Sequence, residues 1–334
     1  RKKLSIPIIG ITGTNGKTTS KELIYTALKS ELNCYATKGN LNNHIGVPLS
    51  ILEVNNKHKI AIIEMGANHK NEINFLCGIA KPTHGIITNI GSAHLEGFKS
   101  IEGVIQTKNE LYKFIKLQNG LLFVNNDDNL LLNLANNIKQ ITYGKTNKSN
   151  ISISSNTPFL NLNYNNNIIK SNLIGDYQFY NIALAICVGE YFNISKKNIQ
   201  NTIESYIPKN NRSEITKTEN NFIIMDAYNA NPSSMKAMIE SFAKQNYNNK
   251  LCILGDMLEM GDYAKKEHAK IIAICQKLNI DTIFVGNEFS KVTNKAFNNL
   301  IDIKKFLQQN SIKDKTILLK GSRSIKLEEL VDYL

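Results

Sequence analysis

The residues with the clearest chemical promise stand near the start, in "IPIIGITGTNGKTTSKELI", residues 6 to 24. An apolar run ends at a glycine-punctuated turn, and that turn leads into helical spacing at Leu23, Ile24, Ala27 and Leu28. Strand, glycine loop and helix in this order can cradle phosphate. The first free amides of the helix point at whatever lies before them, and the helix dipole favours negative charge there. Gly13, Thr14, Asn15, Gly16, Lys17, Thr18 and Thr19 are the candidates. Lys17 would add a point charge and Thr18 a hydroxyl for magnesium. The strict GxxxxGK[ST] pattern asks for glycine where this chain has Ile11, and a bare GKT also occurs in ordinary turns. The strand-to-helix setting is what favours phosphate.

Ligands of open parallel sheets bind outside the carboxyl ends of the strands, so the residue ending each apolar run matters. KIAIIEMGAN delivers Glu64, and GIITNIGSAH delivers Asn89, Ser92 and His94. FIIMDAYNANP delivers Asp226, LCILGDMLEMG delivers Asp256, and TILLKGSR delivers Lys320 and Arg323. Any one of these could cap a helix or satisfy a loop; together, on the edge that carries the phosphate loop, they favour a site. Glu64 and His94 could join Thr18 around magnesium. Imidazole is a less usual ligand for that ion, so a loop histidine bonded to backbone stays equally open for His94.

Lys108 is odd in another way. In "IEGVIQTKNELYKFIK" the apolar stripe runs through Ile101, Val104, Ile105, Leu111, Tyr112 and Ile115, and residue 108 falls on the same face. Its amine either snorkels to the helix edge or is desolvated, which lowers its pKa and leaves it neutral enough to react or be modified.

The elements that must hold these groups alternate apolar β-type runs with helical patterns, which predicts parallel sheets covered by helices. Strands are expected over 6–12, 59–64, 85–89 and 120–125, then over 222–226, 250–256, 282–286 and 316–321. Short alternating stretches between 151 and 174 predict a small antiparallel flank, and helices follow over 178–192 and 195–205. "SYIPKNNRSE" breaks the periodicity, so the expected division is 1–210 and 211–334. With 334 residues, 42% of them hydrophobic, the chain can bury two cores. No apolar run approaches the roughly 20 residues that cross a bilayer. Five scattered cysteines point to reduced thiols in the cytosol, with neither disulfides nor zinc. The net charge of +12 is spread along the chain, which suits a solvated surface better than a nucleic-acid groove.

Taken together, GTNGKTTSKE, GNLNNHIGVP, EMGAN, ITNIGSAHLEGF, the TKNE around Lys108, NRSE, DAYNANP, LGDMLEMG and KGSRS resemble the motifs of the Mur ligases, in order over nearly the whole chain. DAYNANP and KGSRS resemble the type that adds D-alanyl-D-alanine to UDP-N-acetylmuramoyl-tripeptide. The resemblance implies a central P-loop-type ATPase domain and a C-terminal Rossmann-like domain. ATP would phosphorylate the terminal carboxylate of the tripeptide, and the dipeptide amine would then displace phosphate. By the same resemblance Gly13 to Thr19 cradle the phosphates, Thr18 and Glu64 hold one magnesium, and His94 a second. Lys108 is carbamylated and becomes a carboxylate-like metal ligand. Asn181 meets adenine, Arg212 the transferring phosphoryl group and Asp226 the ribose. Asn42 and Asn43 face the muramoyl peptide; Asn229, Asn231, Lys320, Ser322 and Arg323 face the dipeptide.

Many members carry a His-Asn pair where this chain has Tyr177 and Gln178, so a departure in the base contacts is an expectation here. The family begins with a further domain that binds the UDP-sugar, and the phosphate loop here falls within the first twenty residues; such a domain is expected outside these residues. The expected protein is a cytoplasmic monomer. A folylpolyglutamate-synthase-like ligase would share the loop but not DAYNANP and KGSRS. A non-catalytic nucleotide- or nucleic-acid-binding module would predict salt-sensitive binding to generic DNA or RNA.

Overall fold

The computed structural model describes residue 1 and residues 3–146 and 151–334. Six strands build the first sheet: β1 (Ile8–Thr12), β2 (Cys34–Ala36), β3 (Ile60–Glu64), β4 (His84–Ile87), β5 (Leu121–Asn125) and β6 (Gln140–Tyr143). Their order is β2-β3-β1-β4-β5-β6, and every pairing is parallel. All five residues of β1 are buried, as a strand covered on both faces requires. On one face Leu23, Ile24, Phe179, Ile182 and Ile199 bring in helices Lys17–Lys29, Gln178–Tyr191 and Lys196–Ser205. On the other, Val47, Ile73, Leu76, Leu111 and Ile115 bring in Gly46–Glu53, Glu72–Ala80 and Ile101–Leu117.

The expected antiparallel flank is β7 (Ile151–Ser155), β8 (Asn161–Tyr164) and β9 (Asn167–Lys170). Its inward residues Ile151, Leu162, Tyr164 and Ile169 extend the first core. The second sheet comprises β10 (Glu214–Lys217), β11 (Asn221–Asp226), β12 (Lys250–Gly255), β13 (Asp281–Val285), β14 (Ala296–Phe297) and β15 (Lys315–Lys320). It runs β10-β11-β15-β12-β13-β14, parallel except for the edge strand β10. The α/β class is therefore as expected, while β2, β6, β10 and β14 are additional. Each of the four lies on a sheet edge and is short, so none carries a long buried apolar run.

The two units touch beside the phosphate loop. Ser92 N donates to Ser233 Oγ (2.9 Å), and Asn231 Nδ2 donates to Asn15 Oδ1 (2.8 Å). Leu95, Phe98 and Val104 share a buried cluster with Met257 and Met260. Among the described residues no helix is long and apolar enough to cross a membrane.

Candidate active site

The loop after β1 has the backbone that a cradle needs. Gly13 has φ 140° and Gly16, capping helix Lys17–Lys29, has φ 79°, both left-handed conformations that favour glycine. A Cβ on Gly13 would also stand 2.0 Å from Thr88 Oγ1. That closeness is used: Thr88 Oγ1 donates to Asn15 O (2.7 Å), and Asn89 binds both the amide and the carbonyl of Asn15 at 3.0 Å. β4 thus ends two residues earlier than expected because Thr88 and Asn89 hold the loop. Lys17 Nζ donates to the carbonyls of Gly13 (2.7 Å) and Thr14 (3.0 Å). Burial lowers its pKa, Glu64 opposes that fall, and Arg212 adds to it.

Register sets Glu64 beside the loop, since it pairs with Ile11 at the end of β1. Its carboxylate is 1% exposed. Oε1 accepts from Thr18 Oγ1 (3.3 Å) and from Asn42 Nδ2 (2.9 Å), whereas buried Oε2 has no hydrogen-bond donor. The nearest cation to Oε2 is Lys21 Nζ at 3.7 Å. A carboxylate with a free lone-pair face next to a hydroxyl suits a hard divalent ion. Among the described residues no three His, Cys, Asp or Glu side chains group around a metal position, so further donors would have to be of another kind. Lys21 escaped the sequence reading. Fully buried, it donates to Thr37 O (2.7 Å) and Gly39 O (3.4 Å), joining Glu64 to the segment that carries Asn42 and Asn43. Its spacing of four from Lys17 was the available signal.

Lys108 lies on the buried face of helix Ile101–Leu117, although Ile101, placed on the same stripe by spacing, is 45% exposed at the helix start. The amine sits 5.6 Å from the Phe98 ring centre and 3.5 Å from Ala67 O. Burial lowers its pKa to about 7, Lys17 pushes it further down, and Glu72 and Glu110 oppose the fall. Snorkelling is thereby excluded: the side chain is 2% exposed. A stability consequence follows. Below about pH 7 the folded state carries a buried ammonium that the unfolded chain solvates freely, and between 7 and the ordinary lysine range the unfolded state holds the extra proton. In CO2-free buffer Lys108→Met is therefore expected to exceed the wild type in stability by a few kcal/mol at pH 6. Denaturant titrations should show that advantage shrinking steadily as pH rises above 7, and a pH-independent difference would contradict the buried charge.

The second unit closes the cleft. Asp226 and Lys320 end adjacent strands in register, and Lys320 Nζ meets Asp226 Oδ2 at 2.6 Å while Ser213 N donates to Oδ1 (3.1 Å). The guanidinium of Arg212 stacks 3.6 Å from the Tyr228 ring centre, with that of Arg323 5.3 Å from the same ring. His94 Nδ1 pairs with the Glu259 carboxylate, a partner that the sequence reading did not single out. Asn231 caps helix Pro232–Lys244 while reaching Asn15. Asn229 Oδ1 accepts from Ala230 N.

Other candidates are engaged internally. Asn181 binds Ser20 Oγ and Gln178 Oε1 behind the loop, so both ends of its amide have protein partners. Asn43 Oδ1 accepts from Ile45 N and Gly46 N at a helix start. Ser322 does not line the cleft: it is buried, and its hydroxyl accepts from Leu258 N. Asp256 likewise turns away, accepting from Glu288 N and Phe289 N.

Thr14 to Ser20, Asn42, Asn43, Glu64, His94, Asn181, Arg212, Asp226, Asn229 and Lys320 line one cleft of about 1200 Å³ between the units. A glycine loop on a parallel sheet, a buried carboxylate at the neighbouring strand end, and a second α/β unit supplying a guanidinium define a two-domain protein built to handle a nucleotide's phosphates.

The known proteins make this specific. Residues 11–189 match the Mur ligase middle domain, and residues 211–323 match the Mur ligase glutamate ligase domain. The UDP-N-acetylmuramoyl-tripeptide--D-alanyl-D-alanine ligase of Bacillus subtilis (strain 168) is 33% identical over 100% of this chain and 77% of its own length. The Escherichia coli (strain K12) ligase of the same name is 30% identical over 100% of this chain and 78% of its own length. Among solved structures, MurF from Acinetobacter baumannii superposes with TM-score 0.86 at 28% identity, covering 99% of this chain and 77% of that one. MurF ligase from Thermotoga maritima in complex with ADP gives 0.84 at 26%, covering 99% and 80%. A Mycobacterium tuberculosis folylpolyglutamate synthase shares the fold alone, at TM-score 0.67 and 13% identity over 98% of this chain and 91% of that one. The chain belongs to the Mur ligase family.

Proposed function

We propose that this protein is an ATP-dependent ligase that joins D-alanyl-D-alanine to UDP-N-acetylmuramoyl-tripeptide in peptidoglycan precursor synthesis, working in the cytoplasm as a single chain. Residues 1–210 form its ATP-binding unit and residues 211–334 the unit that closes over it. The carrying observation is convergence: Lys17, Thr18, Glu64, Arg212 and Asp226 come from both units to one cleft beside one glycine loop. The order of the chemistry follows from the substrates. A carboxylate is a poor acyl donor until one of its oxygens becomes part of a phosphate leaving group. The tripeptide carboxylate attacks the γ-phosphorus and releases ADP. The dipeptide amine then attacks the acyl carbon, loses a proton, and expels phosphate with the original carboxylate oxygen.

The chain's own part is positioning and charge. The amides of Gly13 to Thr19 hold the phosphates, Lys17 leaves its loop carbonyls for a phosphate oxygen, and Arg212 faces the phosphoryl group in transfer. Asn181 and Asp226 serve the adenosine end. Asn42 and Asn43 lie on the muramoyl-peptide side, with Asn229, Asn231, Lys320 and Arg323 on the dipeptide side, while Ser322 supports that side from beneath by accepting from Leu258 N. Thr18 and Glu64 would hold one magnesium, and His94 with a modified Lys108 a second. Bound there, magnesium would neutralise the charge that builds on the transferring phosphoryl oxygens. The modification is a carbamate: the neutral Lys108 amine attacks the carbon of carbon dioxide and gives up a proton. A pKa lowered to about 7 leaves much of that amine neutral near neutrality.

On the full-length gene product, ADP release is expected to need both UDP-N-acetylmuramoyl-tripeptide and D-Ala-D-Ala, and to stall when folate and glutamate replace them. ADP formation indifferent to the dipeptide would count against the reading.

A further inference from the structure

The loop of the second unit that meets the phosphate side carries an acidic residue without a task so far. In Met257–Tyr263 the backbone folds over residues 94–99 of the first unit: Glu96 N donates to Glu259 O (3.2 Å), and Tyr263 Oη donates to Lys99 O (3.2 Å). Met257 and Met260 are buried against Leu95 and Phe98. The two facing residues His94 (φ 51°) and Glu259 (φ 61°) both hold left-handed backbone that side chains other than glycine rarely adopt. Such conformations cost on the order of 1 kcal/mol each and persist where the surroundings impose them. What the strained pair achieves is contact: the Glu259 carboxylate meets His94 Nδ1.

We propose that Glu259 is the positioning residue for His94, its carboxylate fixing the imidazole with the proton on Nδ1 and leaving Nε2 as the lone-pair nitrogen for the cleft. A carboxylate only accepts, so the ring nitrogen that it binds must carry hydrogen. Among the described residues no group bonds His94 Nε2. The arrangement carries further. The His94 ring meets the Phe98 ring edge-on at 6.2 Å, and the Lys108 amine lies 5.6 Å from the same Phe98 ring. Docking of residues 257–263 therefore meets His94 directly and packs on Phe98, the ring beside Lys108.

The inference rests on the ligase reading for its purpose, but its test does not. Full-length protein labelled with 15N-histidine, at a pH where the ring is neutral and with His94→Gln to assign the signal, reports the tautomer. His94 is expected as the Nδ1–H form in the wild type and as mainly the Nε2–H form in Glu259→Ala. Glu259→Gln, whose amide oxygen accepts the same proton, should keep most of the Nδ1–H form. In turnover, Glu259→Ala should lose about 10–100-fold in kcat with KM for ATP within about twofold, the pattern of lost orientation of a ligating or reacting imidazole. Unchanged melting curves would show that both variants fold. An Nε2–H tautomer in the wild type, or a tautomer indifferent to Glu259→Ala, would overturn the assignment. ADP release indifferent to the dipeptide would instead strike the ligase reading and leave the tautomer result standing.

Discussion

Lys17→Met is expected to lower ATP-driven amide formation by about 10²–10³-fold, the usual cost of removing one preorganised donor from a site of developing charge. The amine lies among Gly13 O, Thr14 O and the field of Glu64, in a buried position that lowers its pKa. Among the described residues its partners are these carbonyls and no carboxylate oxygen, so the phosphates would be its first full negative partner. The loop itself stands on other bonds, from Thr88 and Asn89 to Asn15, so the variant should melt close to the wild type. Steady-state ADP release and thermal unfolding, measured side by side, check both halves. A variant that keeps most of its rate would remove the loop from the chemistry.

Lys108→Ala is the second large effect, with an expected loss on the order of 10²-fold or more in rate. Its diagnostic is rescue. If the working group is a carbamate, formate or acetate entering the space left by the side chain should restore part of the rate, whereas methylamine should not. Mass spectrometry rarely keeps carbamates, so rescue is the better readout. Equal activity of wild type and unsupplemented variant would abolish the role, and rescue by the amine alone would assign it to the free lysine. The side chain is almost wholly buried, which is why Lys108→Met is expected to gain stability at low pH while Lys108→Ala loses rate.

Much of this site is legible in the sequence because long buried strands announce themselves. β3, β11 and β15 are apolar runs that stop at Glu64, Asp226 and Lys320, and a parallel sheet puts such stops on one edge. The glycine loop is legible for the same reason, standing between a wholly buried strand and a helix. Lys108 shows by helical spacing alone. The short edge strands are not legible: residues such as those of QITY and EITK are half exposed, and pairing to a neighbour, not their own pattern, makes them strands. Asn43, Asn181 and Ser322 illustrate a second limit. Their residue types suit a ligand and a loop equally well, and the fold gives each an internal partner. Glu259 marks a third, since its meaning depends on His94 in the other unit, and no local pattern encodes a contact between units.

The central claim is that the cleft activates a carboxylate through an acyl phosphate. The most direct measurement follows the oxygen. UDP-N-acetylmuramoyl-tripeptide labelled with 18O in its terminal carboxylate is turned over with ATP and D-Ala-D-Ala on the full-length gene product, and the phosphate released is weighed by mass spectrometry. One label per phosphate formed is predicted, in amounts matching the amide. Unlabelled phosphate alongside amide product would mean that the carboxylate oxygen never bonded to phosphorus, and would contradict the account.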